Sequence, residues 1–136
     1  MILYLFYNAD LLEVTSLKSQ AVVTFMDDAN LYAEGDTFDN AYDSLHDMLT
    51  KTNGMQTWTH THNSRFEKSK FTLLGFTRRR IVDPSHNGKT IPTPLPVFTY
   101  DSTDIQPREP CYITWQIPDI LNPHSVMSLH LLTSRT

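Results

Sequence analysis

Cysteine and long apolar runs are scarce in this sequence of 136 residues. The single thiol, Cys111, cannot form an internal disulfide, which is typical of a protein in a reducing compartment. The apolar start at Met1 is six residues long and has no basic leader, whereas a membrane-spanning helix needs about 18 or more apolar residues. The sequence therefore predicts neither a signal peptide nor a transmembrane segment, and it predicts an intracellular location, nuclear or cytoplasmic.

Proline is absent from the first 83 residues, and all eight prolines lie between Pro84 and Pro123. The first part of the chain can therefore hold regular structure, whereas proline repeatedly interrupts the last part. We place a boundary at residues 81–85. Residues 1–80 are expected to fold as an α+β unit. Residues 81–136 are expected to be mostly loop, with short extended pieces near 96–100 and 112–117 and no regular periodicity after 121.

Basic residues are rare in the first 50 positions, where nine acidic residues accompany one base, Lys18. Six of the eleven bases lie between Arg65 and Arg80, together with one acid, Glu67. The net charge of −4 excludes the general electrostatic footprint of a nucleic-acid-binding protein. The positive charge is local.

Residues 21–33, Ala-Val-Val-Thr-Phe-Met-Asp-Asp-Ala-Asn-Leu-Tyr-Ala, place an acidic pair between two apolar runs. The β-branched and aromatic residues favour strands, and Asp and Asn tolerate the backbone angles of a tight turn. We expect a β hairpin with Asp27 and Asp28 at its tip. A solvated turn and a divalent-metal site both remain open, since hard cations such as Mg²⁺ bind carboxylate oxygens.

The next segment predicts an amphipathic helix over residues 37–49, with Asp36 or Thr37 as its N-cap and Gly54 at its C′ position. Its apolar residues recur at helical spacing; they are Phe38, Ala41, Tyr42, Leu45, Met48 and Leu49.

A short second helical turn is expected around Trp58. His60 and His62, which have no third ligand nearby in sequence, are interpreted as loop residues rather than metal ligands. Residues 1–12 have the spacing of the last turns of a helix without an N-cap, which indicates a missing upstream part.

A strand is predicted over Phe71 to Phe76, with basic residues on both sides of it. Lys68 and Lys70 precede the strand, and Arg78-Arg79-Arg80 follows it. A run of charges of this kind is compatible with a solvated basic loop. It is also a composition that contacts phosphate, where Lys acts as a point charge and Arg as a fork.

In this order the elements resemble the palm of reverse transcriptases, in particular those of fungal-type non-LTR retrotransposons. Residues 3–12, Leu-Tyr-Leu-Phe-Tyr-Asn-Ala-Asp-Leu-Leu, are similar to the helix that follows the family's Pro-Gln-Gly-Ser-Pro motif. Phe25-Met26-Asp27-Asp28 resembles the aromatic-x-Asp-Asp signature, with Phe where many relatives carry Tyr. Residues 62–70, His-Asn-Ser-Arg-Phe-Glu-Lys-Ser-Lys, are similar to the segment that ends in a Lys-Thr or Ser-Lys pair. The resemblance covers about residues 1–80.

The resemblance implies template-directed nucleotidyl transfer by an RNA-directed DNA polymerase with two Mg²⁺ ions as cofactor. It implies that Asp27 is a metal ligand, that Asp28 is an auxiliary catalytic carboxylate, and that Lys70 lies near the leaving pyrophosphate. It also implies that Phe25 and Met26 lie under the primer terminus. The partners would be an RNA template, a DNA primer and a dNTP. The nucleic-acid-binding residues would be Arg65, Lys68, Arg78, Arg79 and Arg80.

Several parts of the family pattern are missing from the sequence. The upstream aspartate that completes the two-metal site, the Pro-Gln-Gly-Ser-Pro stretch and the fingers are absent. The nearest candidate for the primer-gripping hairpin, Cys-Tyr-Ile-Thr-Trp at 111–115, lacks the family's Leu-Gly, and no thumb helix is visible over 121–136. We therefore expect a partial palm, with the hairpin and one further strand in a small antiparallel sheet and a helix on one face. The isolated chain should bind Mg²⁺ weakly and lack polymerase activity. A non-catalytic nucleic-acid-binding remnant and a purely structural fragment remain open alternatives.

Overall fold

The computed structural model describes residues 9–25, 28–85, 87–108 and 125–135, which form an α+β structure as predicted. Its helical elements are the 3₁₀ helix η1 (Ala9–Val14), the helices α1 (Phe38–Thr50) and α2 (Met55–Thr61), and the 3₁₀ helix η2 (Lys68–Lys70). Its strands are β1 (Gln20–Phe25), β2 (Asp28–Gly35), β3 (Ser64–Phe66), β4 (Thr72–Thr77), β5 (Arg80–Val82), β6 (Thr90–Pro92), β7 (Phe98–Tyr100), β8 (Thr103–Ile105) and β9 (Ser125–Arg135). The expected helix end over 1–12 falls mostly outside the described residues, and η1 covers its last part.

The predicted hairpin is confirmed by the antiparallel pairing of β1 with β2. Phe25 pairs with Asp28, and the two residues between them, Met26 and Asp27, lie outside the described residues. The prediction that Asp28 belongs to the turn is wrong, because β2 begins at this residue. Pairing extends this far because alternate residues of β2, beginning with Ala29, are buried in the core.

Strand β9 lies in the middle of the main sheet, between β2 and β4 and antiparallel to both. The expectation that the region after 121 is irregular is therefore wrong for Ser125–Arg135. Met127 and Leu129 are fully buried, at the two-residue period of a strand with one buried face. The proline-rich part of the sequence thus ends in the longest described strand, and this strand completes the sheet begun by the hairpin.

The predicted helix is confirmed as α1, which buries its apolar stripe against the sheet. Thr37 is the N-cap, and its side chain accepts a hydrogen bond of 3.2 Å from the N–H of Asn40. The prediction for Gly54 is wrong, because Lys51 is the C-cap and Gly54 is the N-cap residue of α2. A Cβ at Gly54 would lie 2.7 Å from the carbonyl oxygen of Met48, so close backbone approach explains the glycine.

The two faces of the main sheet differ in burial. Ala29, Leu31 and Ala33 of β2 are buried on the face that packs against α1. The alternate residues of β2 and β4 lie on what we call the outer face, where they are half-buried. The described outer-face residues of these two strands are Asp28, Asn30, Tyr32, Glu34, Thr72, Leu74 and Phe76. Asp28 therefore lies on the side of the sheet opposite α1.

The described part of the proline-rich region forms two short hairpins, β5–β6 and β7–β8. The expected extended piece near 96–100 is confirmed by β7, whose Phe98 and Tyr100 enter the core. The piece expected near 112–117 and the candidate primer-gripping hairpin at 111–115 lie outside the described residues. None of the helices in the described part of the chain has both the length and the apolar character needed to cross a bilayer.

Candidate nucleic-acid interface

Pairing across β9 brings the hairpin tip and the segment before β4 to the same end of the sheet. Asp28 pairs with Leu132 of β9, and Thr72 pairs with His130 on the opposite side of β9. The 3₁₀ helix η2 directly precedes Thr72, so its two lysines lie at the end of β4 that is level with Asp28. Because β9 separates β2 from β4, the two backbones are two strand spacings apart, about 10 Å.

Strand β3 brings a further base to this end of the sheet. Arg65 pairs with Ser134, two residues beyond the β9 residue that pairs with Asp28. The Arg65 and Lys70 side chains are exposed, and Asp28 is half-buried on the outer face. We call Asp28, Arg65, Lys68 and Lys70 the acidic–basic end of the sheet. The sequence predicts all four as site residues, and the strand register places them at the same end of the sheet.

Lys68 differs from the other two bases because its charge is already paired. Its ammonium forms an ion pair with the carboxylate of Asp101 and lies 3.3 Å from the carbonyl oxygen of the same residue. It also lies 6.0 Å from the centre of the Tyr100 ring, within the range of a cation–π interaction. Lys68 thus has an intramolecular role, which sequence reasoning had not assigned to it.

A cavity of about 430 Å³ opens beside this ion pair, between α2, β3 and the β7–β8 turn. Its walls include Arg65, Lys68, Tyr100 and Asp101. Burial raises the pKa of the Tyr100 hydroxyl, and the neighbouring Asp101 carboxylate raises it further. The hydroxyl therefore keeps its proton to a more alkaline pH than an ordinary tyrosine does. Tyr100 and Asp101 escaped sequence reasoning because they lie more than thirty residues from Lys68 and carry no local motif.

The three consecutive arginines lie at the other end of the sheet. They follow Thr77, which pairs with Ser125 at the start of β9, about 17 Å along β4 from Thr72. The Arg80 guanidinium donates a hydrogen bond of 2.9 Å to the carbonyl oxygen of Thr90. Arg79 and Arg80 line a second cavity, of about 790 Å³. Arg78, Arg79 and Arg80, which the sequence grouped with Arg65 and Lys68, are thus separated from them by the length of a strand.

The described residues contain no group of three or more His, Cys, Asp or Glu side chains placed to hold a metal ion. Strand β9 lies next to β2, yet Ser125–Arg135 carries no carboxylate, and its residue opposite Asp28 is Leu132. Mg²⁺ requires several hard oxygen ligands together. The described residues fit at most part of a magnesium site, in which Asp28 is paired through its backbone with Phe25. Asp27 and Met26 fall outside the described residues.

The two histidines near Trp58 have different environments. His60 is exposed in the last turn of α2, so it does not lie in a loop as predicted. The His62 ring stacks on Trp58 with 4.6 Å between ring centres, and its Nδ1 lies 3.0 Å from the Trp58 carbonyl oxygen. Its Nε2 lies 3.7 Å from a carboxylate oxygen of Asp10. His62 therefore packs η1 and α2 together.

Comparison of the chain with protein-family models, with curated proteins and with solved structures gives no match.

Proposed function

We propose that the chain is a reverse-transcriptase-type palm fragment that binds a template–primer duplex at the acidic–basic end of its sheet and does not polymerise by itself. The observation that carries this proposal is the register around β9, which aligns Asp28 with the segment that delivers Arg65 and Lys70. This is the end of the sheet that carries the residues of the Phe-Met-Asp-Asp and Ser-Lys resemblances.

Charge supports binding of a phosphate backbone at this end. Arg65 and Lys70 are exposed, and cations that contact phosphates release condensed counterions from the nucleic acid. Asp28 has the opposite effect, since a carboxylate repels a phosphate unless a cation lies between them. A bound Mg²⁺ would supply that bridge and would stabilise the attacking and leaving oxygens of a nucleotidyl transfer. Asp27 and Asp28 would hold it.

The described residues supply too few carboxylates for the two-metal chemistry of the family. Strand β9 occupies the place next to β2 without contributing an Asp or Glu. One or two carboxylates hold Mg²⁺ weakly, because the ion gives up its water reluctantly. We therefore propose binding, and not catalysis, as the property of the isolated chain.

Binding is tested by fluorescence anisotropy with a labelled RNA–DNA template–primer over a series of salt concentrations. The variants Arg65→Ala and Lys70→Ala are each expected to lower the affinity and to reduce the slope of log K against log salt by about 0.9. Lys89→Ala is the matched control, since Lys89 is an exposed lysine between β5 and β6. Absence of binding, or equal effects at all three positions, would contradict the proposed interface.

The role of the acidic residue is tested by repeating the titration with and without Mg²⁺. Asp28→Asn should tighten binding in the absence of Mg²⁺, because it removes a repulsive charge, and should abolish any stimulation by Mg²⁺. Incorporation of a labelled dNTP is measured in parallel and is expected to be absent. Incorporation by the unchanged chain that is lost in Asp27→Asn would show that the fragment is catalytically complete.

The missing carboxylate on β9 favours one alternative, a nucleic-acid-binding remnant that uses no metal. This alternative predicts salt-sensitive binding whose affinity is the same for the unchanged chain, Asp27→Asn and Asp28→Asn. A purely structural remnant would show no salt-sensitive binding at all.

A further inference from the structure

Strand β1 forms one edge of the five-stranded sheet. It pairs with β2 on one side, and no other strand of the described residues pairs with its second side. Its sequence, Gln-Ala-Val-Val-Thr-Phe, contains no charge and no proline, and its pairing with β2 has no bulge. Monomeric proteins usually protect an edge with a charged residue, a proline or a bulge. Strand β1 has none of these protections.

The edge also exposes apolar side chains. Val23, in the middle of β1, is 53% exposed, and Leu17, in the turn that precedes the strand, is 57% exposed. Together they place an apolar strip beside backbone groups that pair with no strand among the described residues.

The hairpin determines which backbone groups of β1 point away from β2. Phe25 and Asp28 are paired with two residues between them, the spacing of a hydrogen-bonded pair, and such pairs alternate along an antiparallel ladder. The N–H of Glu34 donates a hydrogen bond of 2.8 Å to the carbonyl oxygen of Ser19. This bond lies an even number of residues from Phe25, as the alternation requires. The odd-numbered residues of β1 therefore bond to β2, and the even-numbered residues direct their N–H and C=O groups outward.

The outward groups in the body of the strand belong to Val22 and Thr24. When two copies pair antiparallel about a two-fold axis, one register satisfies all of these groups by placing Val22 of each copy opposite Thr24 of the other. In this register the axis passes through Val23. The two exposed Val23 side chains then meet in a non-hydrogen-bonded pair, in which Cα atoms lie about 4.5 Å apart and side chains are closest.

Charge at the two ends of the strand suits the same arrangement. Antiparallel pairing places the hairpin tip of one copy, with Asp28, beside the turn that precedes β1 in the other copy. That turn carries Lys18, which is exposed and is the single base among the first 50 residues. Each end of the paired strands thus brings a carboxylate towards an ammonium group.

We propose that the chain forms a two-fold dimer through its β1 edges, so that the two sheets become one continuous sheet. The occupant of each β1 edge is a second copy of the chain, so the dimer pairs the β1 edges of both copies with each other.

The proposal is tested by sedimentation equilibrium of the full chain at tens of micromolar. The expected mass is twice the monomer mass of 15.7 kDa. Val23→Lys places two like charges opposite each other at the axis and should raise the dissociation constant by roughly tenfold or more. Val82→Lys is the matched control, because Val82 is 62% exposed and lies on β5, away from this edge. This control variant should remain a dimer.

A mixing experiment distinguishes pairing at the axis from a general effect of added charge. Val23→Lys and Val23→Glu should each be monomeric alone, whereas an equimolar mixture should form a heterodimer, because opposite charges then meet at the axis. Circular dichroism and thermal melting of each variant show whether it is folded.

The proposal is overturned if the wild-type chain is a monomer. This includes the case in which hydrogen exchange shows that another segment of the same chain protects the β1 amides. It is also overturned by a dimer that Val23→Lys leaves intact, by folded Val23→Lys and Val23→Glu variants that do not associate, or by growth into larger assemblies.

Discussion

The Lys68 ammonium forms an ion pair with the Asp101 carboxylate, which joins η2 to the turn between β7 and β8. Both side chains are partly exposed, so the pair contributes about 0–1 kcal/mol to stability. Its larger effect concerns the surface, because it neutralises one of the three bases at the acidic–basic end.

Release of Lys68 should therefore strengthen nucleic-acid binding. Asp101→Asn removes the paired carboxylate, and the affinity for the template–primer at low salt is expected to rise by up to about fivefold. Lys68→Ala should weaken binding less than Arg65→Ala does. Fluorescence anisotropy measures both effects. Asp104→Asn is the control, because Asp104 is an exposed aspartate on β8 that accepts a hydrogen bond from the Thr99 hydroxyl and does not pair with Lys68. Equal effects of Asp101→Asn and Asp104→Asn would show that the pair has no part in binding.

Truncation of a core residue of β9 should be among the most destabilising single changes. Leu129 is fully buried and pairs with Leu31 on one side and Leu73 on the other. Leu129→Ala is expected to lower the free energy of unfolding by about 2–5 kcal/mol, since it leaves a cavity between three strands. Urea denaturation measures the loss, and Val97→Ala, at a side chain 41% exposed, should cost much less. Similar costs at both positions would show that β9 is not part of the core.

Gly75 of β4 and Leu95 are coupled by direct contact. A Cβ at Gly75 would overlap one methyl carbon of Leu95 and lie 2.9 Å from the other. Gly75→Ala should cost about 1–3 kcal/mol in the presence of Leu95, because it overpacks the site. In a Leu95→Ala background the same change should cost less, and a double-mutant cycle measured by urea denaturation gives the coupling energy. Additive effects would mean that the added methyl group of Gly75→Ala does not meet Leu95.

Tyr100 should make the fold sensitive to alkaline pH. Burial, assisted by Asp101, raises the pKa of its hydroxyl above the ordinary value, so the folded state holds this proton more tightly than the unfolded state. The resulting stability is fully present below the unfolded pKa of about 10 and is lost as pH rises through the folded pKa. Thermal melting between neutral pH and pH 11 should show a steeper fall for the unchanged chain than for Tyr100→Phe, which keeps the ring. Parallel curves would contradict a raised pKa.

Local features account for the elements that sequence reasoning placed correctly. The N-cap at Thr37 and the apolar stripe that follows it lie within one segment, and so do the two runs of the hairpin. Strand β4 was predicted for the same reason. These signals require no knowledge of distant residues. The hairpin, α1 and β4 could therefore be predicted from the sequence alone.

Non-local pairing accounts for the elements that sequence reasoning missed. Strand β9 has a short apolar alternation, at Met127 and Leu129, that becomes interpretable only when β2 and β4 are placed on either side of it. The ion pair of Lys68 with Asp101 and the separation of Arg65 from the three arginines likewise depend on the path of the chain between them. The sequence shows how many bases lie between Arg65 and Arg80. Because β4 lies within this run, it separates the bases before it from the three arginines after it.

The central position of β9 also has a consequence for biosynthesis. Its residues leave the ribosome after all the other described strands, so β2 and β4 have no shared partner until then. The nascent chain must keep both strands from pairing elsewhere while the proline-rich region is being made. Contacts between residues so far apart in sequence form slowly. Sheet closure should therefore be a late step of folding, and a chaperone that shields exposed strand edges should raise the yield of folded protein.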